Sequence, residues 1–179
     1  MQFKLSAIAA LASVAAASPV LNARETTCAA DAVTAINGLT EASRKIGDSA
    51  ATLTFQNIIV KGPQIIQGTV QIAQTTAAGV GLPCNGELTQ AEQQKICNAT
   101  SELILAEEDL LKAISSKQGV LGATPFGAPV AAAGEALERT TDKLLFEIVD
   151  STPACGKSLD DLRKALDQDF QDLQGALRP

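Results

Sequence analysis

Apolar residues along this chain recur at spacings of three and four, not two, in five stretches separated by glycine and proline. That period predicts helices with one buried stripe each, and short breaks between helices predict an all-α fold, an antiparallel bundle of about five helices. The first stretch runs from about Thr27 to Gly47, with Ala29, Val33, Ile36, Leu39 or Thr40, and Ile46 on one face. Asp31, Glu41, Arg44 and Lys45 mostly fall between them. The second, from about Ser49 to Ala78, places Ile58, Ile59, Ile65, Ile66, Val70 and Ala73 at helical spacing, but Lys61-Gly62-Pro63 interrupts it. Proline lacks the backbone donor a helix interior needs, so the stretch reads as one kinked helix or two shorter ones. Its many Thr, Ile and Val residues leave two strands around a Gly-Pro turn as the alternative.

The segment Gly79 to Gly86 is a loop by composition. Thr89 followed by Glu92 then forms a capping-box pattern and opens the third helix. Its inward positions are Ile96, Leu103, Leu110 and Ile114, with Ala99 and Leu111 beside them, and Gln118-Gly119 is its expected end. A fourth helix is expected from about Val130 to Asp150, with Leu137, Thr141, Leu144, Leu145 and Ile148 inward, stopped by Ser151-Thr152-Pro153. Ser158 with Asp161 suggests a second cap. The last helix then carries Leu159, Leu162, Leu166, Phe170, Leu173 and Leu177, the cleanest amphipathic stripe in the chain.

The amino terminus does not fit this scheme. Lys4, the mostly apolar run Leu5 to Val14, and Ala15-Ala16-Ala17 have the three parts of an export signal, with small residues before a cut at Ser18. The apolar run is shorter than the roughly 20 residues that span a bilayer, which argues against a transmembrane anchor. Residues 1–17 are therefore expected to be a signal peptide, 18–26 a disordered N-terminal end, and 27–179 one helical-bundle domain. Removing 17 of 179 residues takes one positive charge, leaving 162 residues and moving the net charge from −6 to −7. An acidic chain without a basic cluster is a poor partner for nucleic acid.

In an exported chain, Cys28, Cys84, Cys97 and Cys155 are expected to form two disulfides. Without histidine or a CxxC motif, zinc is a poor alternative. Four cysteines allow three pairings. In an up-and-down bundle all four positions fall at one end. The favoured arrangement is Cys84–Cys97, close in sequence, with Cys28–Cys155 joining the start of the chain to its last hairpin. Asn98-Ala99-Thr100 is the one glycosylation sequon, and Asn98 falls on the side of the third helix away from Ile96.

The chain contains no His, Trp or Tyr. Every mechanism that needs imidazole is thereby excluded, from serine and cysteine triads to histidine-held metals. Glu107-Glu108-Asp109 and Asp167-Gln168-Asp169 are acidic clusters, but each lies in a helical pattern with polar neighbours and reads as a solvated face. Neither a phosphate loop nor GxSxG is present. No catalytic residue, metal site or cofactor is expected, and the chain is read as not being an enzyme. The apolar stripes offer a different role. Ile58, Ile59, Ile65, Ile66, Val70, Leu144, Leu145, Ile148, Leu166 and Phe170 are candidates to line a site for an acyl chain. The same residues would equally fill a dry core, the commoner use of such stripes.

Together with an export signal that ends in Ala-rich sequence, three features resemble the fungal hydrophobic surface-binding proteins, a family that includes cell-wall galactomannoproteins. They are the first-helix run Asp31-Ala32-Val33-Thr34-Ala35-Ile36-Asn37-Gly38-Leu39, the run Leu137-Glu138-Arg139-Thr140-Thr141-Asp142-Lys143-Leu144, and a break at Pro153 before a closing helix that ends near Phe170. The resemblance implies a helical, extracellular, wall-associated protein that adheres to hydrophobic surfaces or holds fatty acids between helices. The four cysteines, and the lack of a long Ser/Thr-rich tail, depart from that pattern and favour free secretion over wall attachment. The sequence-based expectation is thus a secreted binding protein for hydrophobic surfaces or a fatty acid-like ligand. The alternative is a structural wall protein or host-interaction effector without lipid.

Overall fold

The structure, a computed structural model, describes residues 20–177; the expected export signal lies outside the described residues. The described residues fold as α1 (Val20–Ala51), α2 (Ile58–Ala77), α3 (Gln90–Ser115), α4 (Gln118–Gly122), α5 (Gly127–Ser151), a 3-10 turn (Pro153–Cys155) and α6 (Gly156–Leu177). Five helices are long and α4 is little more than one turn. No strand occurs among the described residues, so the all-helical expectation holds and the two-strand alternative for the second stretch fails.

Several boundaries differ from the periodicity, each for a local reason. α1 starts at Val20 rather than about Thr27 and continues to Ala51. The break expected at Gly62-Pro63 lies earlier, at Thr52–Asn57, where Asn57 organises the corner. Its Oδ1 accepts from the Thr54 amide (2.8 Å) and its Nδ2 donates to the Thr52 carbonyl (2.9 Å). Pro63 then sits in the second turn of α2, where it removes one hydrogen bond without ending the helix. The Thr89–Glu92 capping box is present with both reciprocal bonds. Gln118-Gly119 opens α4 instead of ending α3. Ser158 does not cap α6: it lies inside the helix and its hydroxyl donates back to the Cys155 carbonyl (2.8 Å).

The long helices form a ring in which α1 packs along α3, α3 along α6 and α2 along α5, closed by α1–α2 and α5–α6. Contacts fix their directions. Gly47 meets Leu110, while Ala30 and Val33 share a groove with Glu92 and Lys95, so α1 and α3 run parallel. Cys97 joins Cys155 and Lys112 pairs with Asp169, so α3 and α6 run parallel too. Gly134 on α5 lies against Leu173 near the end of α6, which makes that hairpin antiparallel. Chain neighbours alternate in direction, as an up-and-down bundle requires, but the main packing joins helices that point the same way.

This arrangement decides the disulfides. The bonds are Cys28–Cys84 and Cys97–Cys155, with Cα separations of 5.9 and 5.3 Å, and not the favoured Cys84–Cys97 and Cys28–Cys155. α3 lies between α1 and α6, so Cys28 and Cys155 are on opposite sides of it, beyond the roughly 7 Å a disulfide spans between Cα atoms. Cys97 turns its side chain toward α6, away from the loop that carries Cys84. The expectation that all four cysteines gather at one end does hold. In that loop, Gly79 and Gly81 adopt φ of 81° and 82°, a left-handed conformation that glycine accepts without steric cost.

A single apolar cluster fills the ring, drawing on Ile36, Ile65, Ile96, Leu103, Leu110, Leu137, Ile148, Leu166, Phe170 and Leu173 among others. Small residues let helices approach: a Cβ at Gly62 would touch the Phe126 ring at 3.0 Å, and one at Gly134 would fall 2.7 Å from Leu173.

Candidate functional site

The ten residues proposed to line an acyl site divide into three groups. Ile58, Ile65, Leu144, Leu145, Ile148, Leu166 and Phe170 are buried in the central cluster. Ile66 and Val70 are half-buried on α2. Ile59 is 73% exposed and faces away from the interior, which corrects its assignment as lining. The buried stripe of α2 runs through Ile58, Ile65, Thr69, Ile72 and Thr76, and at about 100° per residue Ile59 falls to one side of it.

The second correction concerns Glu107. Expected on a solvated face, it is fully buried, and Glu108 nearly so; Asp109 is exposed as expected. Glu107 sits one turn after Leu103 and one turn before Leu110 and Leu111, squarely on the inward stripe of α3. Its carboxyl accepts a hydrogen bond from the Thr141 hydroxyl on α5, 3.0 Å from Oε2. Burial pushes its pKa up to about 8, against the weaker opposing effect of Thr141. Near neutral pH the group is therefore largely a neutral acid, the form a dry interior tolerates. Ser43 on α1 and Thr69 on α2 are also buried, and their hydroxyls have no protein partner.

Glu108 instead accepts from Lys112 one turn on (2.9 Å), and Lys112 also pairs with Asp169 of α6 (3.2 Å). Hydrogen bonds from Lys112 to Glu108 and Asp169 raise the lysine's pKa. Burial pushes the Asp169 carboxyl up and outweighs the pull of Lys112. Along the α5–α6 seam, Glu138 accepts from Gln174 (2.6 Å). Desolvation, then the neighbouring Asp142, raises Glu138, and desolvation, then Asp167, raises Asp142. These carboxylates sit on interlocked helix faces, where their positions are explained by packing.

The openings in the surface lie elsewhere. Between α1 and α2, a groove of about 340 Å³ is lined by Ala35, Gly38, Leu39, Ala42, Ile72 and Val80, with Gln71, Thr75 and Gly79 at its edge. Its size falls within the roughly 300–1,000 Å³ of small-molecule sites, and its lining is chiefly apolar. The floor exists because Ala35, Gly38 and Ala42 recur at spacings of three and four, leaving a trough where larger side chains would stand. That run was legible in the sequence, where a high Ala and Gly content either lets helices approach closely or leaves room for a ligand between them, but which of the two holds at this face depends on the neighbouring helix. A second groove of about 380 Å³, between α1 and α3, has the charged Glu92 and Lys95 on its wall. A smaller one of about 80 Å³, between α5 and α6, includes Asp160 and Arg163.

Asn98 is exposed on α3, and its Oδ1 accepts from Gln94 (2.9 Å). Thr100 of the same sequon is buried and bonded to the Ile96 carbonyl (2.8 Å). No helix among the described residues is long and apolar enough to cross a membrane.

These features define a disulfide-stapled, all-α bundle with a chiefly apolar groove between its first two long helices. No family model matches the sequence, and no curated protein matches it. Among solved structures, AFMP4P in complex with palmitic acid shares the fold, with a TM-score of 0.66. The two chains are 17% identical over 84% of this chain and 99% of that one.

Proposed function

We propose that this chain is a secreted, non-enzymatic lipid-binding protein that takes an acyl chain into the groove between α1 and α2. The apolar lining of that groove carries the reading. It gains support from the shared fold of AFMP4P, whose structure holds palmitic acid, and from the resemblance to fungal surface-binding proteins. The absence of histidine from the whole chain favours binding over catalysis. Export through an oxidising compartment accounts for the disulfides, and a glycan on the exposed Asn98 and contact with a cell wall belong to the same reading.

Native mass spectrometry of the purified chain should show bound fatty acid, and the stripped protein should take up a fluorescent analogue. Gly38→Leu tests the location, because a Cβ at Gly38 meets nothing within 4 Å and the new side chain projects into the trough. Uptake is expected to fall on the order of tenfold or more, since the lost contact is several methylenes long, with thermal stability unchanged. A ligand-free protein that takes up no fatty acid would sink the lipid reading. Normal uptake by Gly38→Leu would remove the groove from it.

A further inference from the structure

From Ser49 to Gly86 the chain holds a single charged residue, Lys61, and no acidic one, in a protein of net charge −6. That stretch covers the corner after α1, all of α2 and the following loop as far as Gly86. The exposed side chains along α2 include Gln64, Gln67, Gln71 and Gln74, polar but neutral. At the corner stand three large apolar residues, Phe55 (60% exposed), Ile59 (73%) and Val60 (63%). This is the end of the bundle away from both disulfides. The Lys61 ammonium folds back onto the Thr52 hydroxyl beside them.

The other large exposed apolar residues have different surroundings. Phe146 lies on α5 beside the Lys143–Glu147 ion pair, and Leu105 has Glu102 and Asp109 within a turn on either side. At the α1–α2 corner, by contrast, no carboxylate lies between Asp48, seven residues before Phe55, and Glu87.

We propose that this corner docks the protein onto a lipid bilayer, with Phe55, Ile59 and Val60 entering the interface. Burying these side chains removes apolar surface from water, and the segment that carries them, Ser49 to Gly86, has no carboxylate of its own to dehydrate. Lys61 is long enough to lie along the interface with its charge at headgroup level, where anionic lipid adds attraction. All three side chains stand more than half exposed. Side chains that stand out in this way suit a deformable lipid surface, whereas a helix or peptide needs a groove to lie in. The proposal rests on the lipid-binding reading and adds the surface where lipid is met, at the head of the helix that walls the groove.

The test is flotation of the full chain with vesicles of phosphatidylcholine, alone or mixed with phosphatidylglycerol. The wild type is compared with a Phe55→Ser, Ile59→Gln, Val60→Gln triple variant and with Phe146→Ser. The wild type and Phe146→Ser should float with vesicles, and the triple variant should partition on the order of 100-fold less. Uptake of fluorescent fatty acid from solution should survive in the triple variant, which shows that it is folded and its groove intact. Wild-type uptake without flotation would overturn the docking face alone, and loss of both would overturn the lipid reading with it. Equal flotation of the triple variant would also overturn the assignment, as would a wild-type dimer, detected by light scattering, that the triple variant abolishes.

Discussion

Replacing Glu107 with glutamine is expected to stabilise the protein strongly at alkaline pH and scarcely at all at acid pH. The folded-state pKa of this buried carboxyl is about 8, against an ordinary 4.5. Between those values the folded chain keeps a proton that the unfolded chain releases. Stability therefore falls as pH rises through this window, by about 1.4 kcal/mol per pH unit, and levels off above the folded pKa. The total loss is on the order of 4–5 kcal/mol, a large part of a typical domain's stability. Glutamine keeps the shape and an acceptor for Thr141 but does not titrate. Urea denaturation of wild type and Glu107→Gln at pH 4.5, 6 and 8 should give curves that coincide at the lowest pH and diverge steadily. The other shifted carboxylates are common to both proteins and cancel in the difference. A constant offset between the two proteins at all three pH values would show that Glu107 reaches water or an unrecognised partner.

Loss of the Cys97–Cys155 bond is the second large effect. Its loop spans 58 residues, and closing a loop of that length restricts the unfolded chain by about 4 kcal/mol in the chain-entropy account. The double variant Cys97→Ala, Cys155→Ala should melt about 10 °C lower or more by circular dichroism. The two bonds differ in access. Cys97 and Cys155 are buried, whereas Cys28 and Cys84 are half-exposed. A mild thiol reductant acting on the native protein should therefore open Cys28–Cys84 first and leave Cys97–Cys155 closed until the bundle unfolds. Alkylation and peptide mapping during reduction would reveal the order. Simultaneous opening would mean that the α3–α6 end breathes far more than its packing implies.

What the sequence revealed, and what it hid, follows from how each feature is encoded. Local features were legible. The stripe of α6 from Leu159 to Leu177 is buried except at the half-buried Leu162, and the Thr89–Glu92 cap formed as drawn, because both depend on residues within one or two turns. The corner at Thr52–Asn57 was missed because Asn57 holds it with side-chain bonds that no period reports, while the more conspicuous Pro63 fits inside a helix. The disulfide pairing was misread because it depends on which helix lies between which. That is tertiary information, and closeness in sequence misled. Glu107 was the most instructive error. Its position on the stripe was visible, but its charge outweighed its place in the pattern. A carboxylate spaced four residues from Leu103 and Leu111 is a core position first.

The parallel packing of α1 with α3, and of α3 with α6, also determines how this chain can assemble. Each of these contacts joins helices separated by a whole intervening helix, so the native topology has high contact order for a helical protein, and its folding is expected to be slower than that of a hairpin-built bundle. As the chain emerges from the ribosome or a translocon, α1 has its principal partner only once α3 has appeared. Until then the α1–α2 hairpin carries an apolar face with nothing to cover it. Two up-down-up runs of the chain share α3, one tied by Cys28–Cys84 and the other by Cys97–Cys155, and the α2–α5 seam joins them. A truncation that removes α3 takes the shared helix from both, and one that ends just before α4 keeps α1 against α3 but takes α5 from α2 and α6 from α3, so neither product is expected to fold alone.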